Sequence, residues 1–334
     1  MSRLFITGAT GYIGGQVLHS VRHAHPNIEI TALVRSESKA KTISDALPGV
    51  KITLGDLEND GLIEEQAAKA DIIINAASSK HIQSVKAIAR GIERRQKPVY
   101  WLQISGASVL SFPEIEAKVY GEPSDKIYGD VSNIQDIKEL ISKYSSARVV
   151  DNFILSLNKQ NVKTALIFPP IIYGVGQGPV NQRSIQIPEL ARLGMQNGEV
   201  IQVGKGASRW SNVHIGDVGD LFARLTDKAL AGDENEQLWN GNGIYFPENG
   251  LRPFGEISQL VANAAVKSGS IQNDQVKSVS HAEADGLMGH GGVLWGTNAA
   301  LKGERARKYL DWKPQGETLE ENIPKTVQLE KSKL

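Results

Sequence analysis

The sequence predicts an α/β fold, a doubly wound parallel sheet with a smaller, interleaved C-terminal lobe. Three observations predict it. Short β-rich runs alternate with amphipathic helical stretches through the first half. A glycine-rich turn joins the first run to the first helix. Past Pro169-Pro170 the alternation gives way to chain rich in glycine and proline, which reads as irregular.

The runs are Leu4–Thr7, Ile28–Val34, Val50–Leu54, Asp71–Ala76, Val99–Ile104 and Lys163–Phe168. Helical stretches such as Tyr12–Ala24 and Ser79–Arg94 lie between them. Right-handed crossovers then place helices on both faces of one parallel sheet. Val213–Leu230 reads as a short strand and a helix returning to that core, and the chain from Ile244 reads as the smaller lobe. The expected division is a dinucleotide-binding core at 1–170 and 213–243, a substrate lobe at 171–212 and 244–328, and a flexible tail at 329–334. Gly106–Asp130 is long for a plain connection, and such segments are usually functional or disordered.

Composition narrows the function classes. Lys+Arg and Asp+Glu balance at 37 each in 334 residues, so no global field favours nucleic acid or an acidic membrane. There is no cysteine, which excludes disulfides and a thiolate nucleophile. The seven histidines show no zinc-site spacing, so no metal is expected. The first strand begins near Arg3, leaving no room for a leader peptide, and no apolar run approaches the ~18 residues of a membrane span. Ser332-Lys333-Leu334 reads as a peroxisomal address, with an import receptor as the partner that would read it.

The cofactor site is the sharpest motif. Gly8, Gly11 and Gly14 are spaced by three in the run Thr7-Gly8-Ala9-Thr10-Gly11-Tyr12-Ile13-Gly14, between the first strand and first helix. In this Rossmann-type turn, Gly8 permits the tight turn. Gly11 lets backbone amides approach a pyrophosphate, and Gly14 lets helix and strand pack closely. The free N–H groups of the helix N-terminus then face the phosphates. A carboxylate at the end of the second strand would grip the ribose 2′-hydroxyl and select NAD. The chain carries Arg35 there, with Ser36 and Lys39 beyond, which suits the 2′-phosphate of NADP. Asp56 and Leu57, after the third strand, are placed for the adenine. Ala76 and Ala77, after the fourth, are small enough to let the dinucleotide lie across the sheet edge.

Together these elements resemble the extended or atypical branch of the short-chain dehydrogenase/reductase superfamily, and within it fungal epimerase/dehydratase-like proteins. The resemblance covers nearly the whole chain. Pro169, Ile171 and Ile172 lie in a segment similar to that branch's proline turn after the sixth strand, which touches the nicotinamide half of the cofactor. Trp210–Asp217 and Lys308–Pro314 are similar to its returning strand and its C-terminal ending. The branch implies a Ser or Thr after the fifth strand and then Tyr-x-x-x-Lys. This chain departs from both. Gly106 stands where the hydroxyl is implied, flanked by Ser105 and Ser108, and the nearest counterpart of the second motif is Tyr144-Ser145-Ser146-Ala147-Arg148. Counting back from Pro169 through Asp151 puts Lys143 and Ala147 at the two sites, one residue out of register, or about 100° around a helix.

The expected function is NADPH-dependent reduction of a carbonyl or related group on a small molecule. Ser108, Tyr144 and Arg148 are its candidate catalytic residues, and Ser105 lies beside the nicotinamide. A non-catalytic NADP-binding sensor or scaffold is the alternative that the degenerate motif favours. Sugar-nucleotide epimerase or dehydratase chemistry is a third reading, against which Arg35 speaks. Gln182, Arg183, Trp210, His214 and Trp295 are candidate pocket residues in a lobe without a motif that names the substrate.

Overall fold

Seven parallel strands form the central sheet of the computed structural model, which describes residues 2–157 and 161–334. They are β1 (Arg3–Thr7), β2 (Glu29–Val34), β3 (Lys51–Leu54), β4 (Ile72–Asn75), β5 (Val99–Ile104), β6 (Val162–Ile167) and β7 (Ile244–Tyr245). Their order across the sheet is β7-β6-β5-β4-β1-β2-β3. The chain runs outward from β1 to β3 and returns at β4, so the strand order reverses between β1 and β4. Ligands of open α/β sheets bind in the crevice at such a switch point.

Helices α1 (Tyr12–Ala24), α2 (Glu37–Ala46), α3 (Asp60–Lys69), α4 (Ile82–Glu93), α5 (Ile134–Lys143) and α6 (Val149–Ser156) connect the strands. The sequence pattern explains their faces. In α1 the buried set includes Gly14, Val17, Leu18 and Val21, the spacing that lines one side of a 3.6-residue helix. Strand residues alternate between two cores. Phe5, Ile73 and Trp101 enter one, while Leu4, Ile6, Ile72, Ile74 and Leu102 enter the other. Both faces of the sheet are therefore covered, as a parallel sheet requires.

Helix α7 (Ile215–Leu230) packs on α1. The strand before it, Arg209–His214, does not join the central sheet. It pairs with Ile171–Tyr173 and Gly250–Pro253 in a second sheet. In its place β7 completes the central sheet beyond β6, from a segment expected in the smaller lobe. A two-residue strand carries no readable period, so only pairing reveals it. The long segment after β5 is also ordered: a 3₁₀ turn at Ala107–Ser111, a helix at Phe112–Ala117 and the strand Tyr128–Gly129, which pairs with Leu301–Lys302.

The last helix, α8 (Leu319–Lys331), begins with a Thr318/Glu321 capping box. The tail expected to be free from Leu329 is thus helical through Lys331. Glu330 is buried there under a two-bond contact from Arg183, which holds the end of the helix on the fold. Among the described residues, no helix is long and apolar enough to cross a membrane.

Candidate functional site

A cleft of about 410 Å³ opens at the switch point. Gly8, Thr10 and Gly11 form its floor, Leu33 and Arg35 one wall, Asp56 to Glu58 a second, and Ala76, Ala77 and His81 the third. The glycines act as the spacing implies. Gly8 adopts φ +80°, and a Cβ there would stand 2.5 Å from the backbone of Ala76 and Ala77. A Cβ on Gly14 would meet the Gly8 carbonyl at 2.2 Å. Gly11 has only that same oxygen near it, at 3.3 Å, and no side chain caps the first turn of α1. The helix therefore presents unsatisfied N–H groups to the cleft.

Arg35 is exposed at the end of β2, and among the described residues no ion pair involves it. Asp56 is exposed, with Oδ1 accepting the Glu58 N–H at 3.0 Å, so its turn is self-supported. Leu57 packs partly against the core. Sequence reasoning missed Leu33, Gly55, Glu58 and His81. His81 comes 23 residues after Glu58, yet its Nε2 meets Glu58 Oε1 at 2.9 Å across the mouth. No periodicity announces that meeting.

Tyr12, Ile13, Pro169, Ile171 and Ile172, also expected at the cofactor, are not among the residues that line this cleft. The Tyr12 hydroxyl donates to the Gly174 carbonyl at 2.7 Å, tying the loop after the second-sheet strand to the glycine turn. Burial raises the Tyr12 phenol well above its usual range. Ile13 and Ile172 are half-buried against one core, and Ile171 is fully buried in the other. The Pro169 carbonyl accepts the Ala107 N–H at 3.1 Å, fixing the loop after β5. The candidate pocket residues are structural. Trp210 and Trp295 are buried and donate to the Thr297 and Gln186 carbonyls, His214 caps α7, and Arg183 binds Glu330 and Glu189.

At the end of β5 the structure assembles a polar array. Arg148 Nη2 donates to Ser108 Oγ at 2.9 Å. Its Nη1 lies 3.6 Å from Asp151 Oδ2, which accepts the Ser105 hydroxyl at 3.0 Å. Two hydroxyls of one loop are thus each held by a charged group at the start of α6, Arg148 at its N-cap and Asp151 in its first turn. Tyr144, expected to act with them, stands outside. It lies in the break between α5 and α6, its ring stacked on Phe112, and its hydroxyl donates to Glu116 at 2.7 Å. Arg148 reaches Ser108 rather than the phenol: its N–H still bonds the Tyr144 carbonyl at 3.0 Å, but both residues have left helical dihedrals and their side chains go to different partners.

Asp151 is fully buried, and desolvation pushes its carboxyl up to about 6 against the pull of Arg148 and Ser105. A folded-state pKa above the unfolded value means that the native state holds this proton more tightly. The associated stability is present below the unfolded pKa and lost as pH rises through about 6. The amide of an Asp151→Asn variant does not titrate. The melting temperature of the variant relative to wild type should therefore climb from about pH 4 to about pH 6 and level off above. A difference that stays flat across that range would contradict the assignment.

The model of the NAD dependent epimerase/dehydratase family matches residues 4–240. A protein of Acremonium sp. named Oxidase ucsJ is 36% identical, over 99% of this chain and 98% of its own. An uncharacterised protein of Saccharomyces cerevisiae is 27% identical over 96% and 97% of the two chains. Among solved structures, the dTDP-glucose 4,6-dehydratase DesIV of Streptomyces venezuelae, with NAD and TYD bound, is similar at a TM-score of 0.68. It shares 16% identity and covers 99% of this chain and 97% of its own, a likeness of fold. By its glycine turn, its sheet order and a match along most of its length, this chain belongs to the NAD dependent epimerase/dehydratase family.

Proposed function

We propose that this protein is an NADP(H)-dependent oxidoreductase acting on a carbonyl or related group of a small molecule. The observation that carries the reading is Arg35, a cation without an ion-pair partner among the described residues, in a cleft it shares with the uncapped N-terminus of α1. That donor set fits a dinucleotide with an additional phosphate: amides for the pyrophosphate and a guanidinium for the 2′-phosphate. The Acremonium relative named an oxidase supports redox chemistry. When bound, the cofactor supplies or accepts hydride. The protein positions the substrate and manages charge on oxygen. Ser108 accepts a hydrogen bond from Arg148, which leaves its own O–H free to donate to a substrate oxygen.

Calorimetric titration with NADP+ and NAD+ tests the cofactor. Wild type should bind NADP+ more tightly. Arg35→Ala should lose about tenfold to a hundredfold in NADP+ affinity, the loss of one charge-assisted contact, with NAD+ affinity unchanged. Equal affinities in wild type, or a variant that keeps the preference, would overturn the assignment.

A further inference from the structure

Gly106 has no backbone reason to be glycine. Its φ is −166°, extended chain that any residue adopts. A Cβ built there would have one neighbour within 4 Å, Ser108 Oγ at 4.0 Å. What the glycine leaves is room, on the loop between Ser105 and Ser108 at the carboxyl end of β5. Behind that room stands a costly feature. Arg148 is 6% exposed and Asp151 0%, and a buried ion pair of this kind is weak evidence for stability. The pair is also poorly matched, at 3.6 Å, because Arg148 spends its nearer bond on Ser108. Among the described residues, Asp151 Oδ1 and Arg148 Nε each lack a hydrogen-bond partner. A carboxyl with one hydroxyl donor and a distant cation is held loosely enough to take a proton.

We propose that the oxygen of the reacting substrate group seats over Gly106, between the Ser105 and Ser108 hydroxyls, and that Asp151 stores the proton that replaces the one Ser105 gives to that oxygen. This rests on the oxidoreductase reading above. Ser105 retains 8% exposure and Ser108 is half-buried, so both border the space. In the reductive direction the neutral Asp151 donates Oδ2–H to Ser105 Oγ. The Ser105 O–H bond breaks as the substrate O–H bond forms, and Ser105 Oγ takes the Asp151 proton. Asp151 is left as a carboxylate facing Arg148, and solvent returns the proton. The groups that bear on its titration are Arg148 on its own helix and Ser105 from β5. Its carboxyl titrates near 6, high enough for the neutral acid to be populated in mildly acidic solution. Asp151 thus acts through Ser105, and Tyr144 takes no part.

The test uses the full chain with NADPH and a panel of aldehydes, ketones and quinones. Asp151→Asn should lower kcat by about a hundredfold. It should also abolish the fall in kcat as pH rises past about 6, and remove a protonated-carboxyl infrared band that titrates around that pH in wild type. Gly106→Ala should keep the melting temperature and NADP+ affinity of wild type, since the methyl meets no backbone, yet raise KM by about tenfold or more. Wild-type turnover combined with unchanged kinetics in both variants, or an Asp151 ionised throughout that range, would overturn the proposal alone. No NADPH oxidation by wild type on any substrate, despite tight NADP+ binding, would overturn the oxidoreductase reading and the proposal with it.

Discussion

Ser108→Ala is expected to lower NADPH-dependent carbonyl reduction by about 10²–10³ in kcat, the usual effect of removing one donor aimed at developing negative charge on oxygen. The expectation follows from the direction of one hydrogen bond. Arg148 Nη2 donates to Ser108 Oγ, so the serine hydrogen is free to point elsewhere. The contact with a permanent cation also makes that O–H a stronger donor. Loss of the hydroxyl should leave NADP+ affinity intact, because Ser108 does not line the dinucleotide cleft. Tyr144→Phe should leave turnover unchanged, since the phenol is engaged with Glu116 at the surface. Steady-state rates on the substrate panel check both. A large loss in Tyr144→Phe with none in Ser108→Ala would reverse the assignment.

Arg305→Met is expected to destabilise the fold by roughly 3 kcal/mol or more, because each buried carbonyl left without its donor costs about 1–3 kcal/mol. Arg305 is 1% exposed. Its guanidinium donates to the carbonyls of Ile244 and Asp130, at 3.1 and 2.9 Å, and to that of Gln237. The Asp130 carboxylate in turn accepts the N–H groups of Phe246, Glu304 and Arg305. Through these backbone contacts the two buried side chains join the segment after β5, the β7 segment and the C-terminal lobe. Methionine fills similar volume but leaves the three carbonyls without their donor. Urea denaturation monitored by tryptophan fluorescence measures the effect. A midpoint equal to wild type would show that the joint contributes nothing. NADP+ binding should weaken less than stability, because Arg305 is outside the cleft.

The central sheet is legible because each of its first six strands is an apolar run and each crossover helix has a periodic face. The same holds for the cleft. Gly8, Gly11, Gly14, Arg35, Asp56, Ala76 and Ala77 all sit within a few residues of a strand end, so naming the strands nearly names the site. Their chemistry is local: a positive φ at Gly8, a close approach at Gly14, a lone guanidinium at Arg35. His81 lies at the far end of the connection that holds Ala76 and Ala77 and carries no such mark.

The chemistry at β5 is legible only in part. The residue types point to Ser108 and Arg148, yet their spacing pairs Arg148 with Tyr144. A helical reading across residues 144–148 places the two one turn apart. The chain instead ends α5 at Lys143 and restarts at Val149, with both residues in the break. The first six strands, the glycine turn and the charge at Arg35 are set by the amino-acid order without further help, since each depends on a single run of neighbouring residues. Packing in three dimensions is what makes Ser105, Ser108, Arg148 and Asp151 one array, closes the sheet with β7, and brings Arg305 to Asp130. Apart from Arg148 and Asp151, which are near in sequence, the polar contacts among them join residues about 40 to 175 positions apart. They form where distant segments meet, and hydrophobic periodicity records which face is buried but not which polar partner waits there.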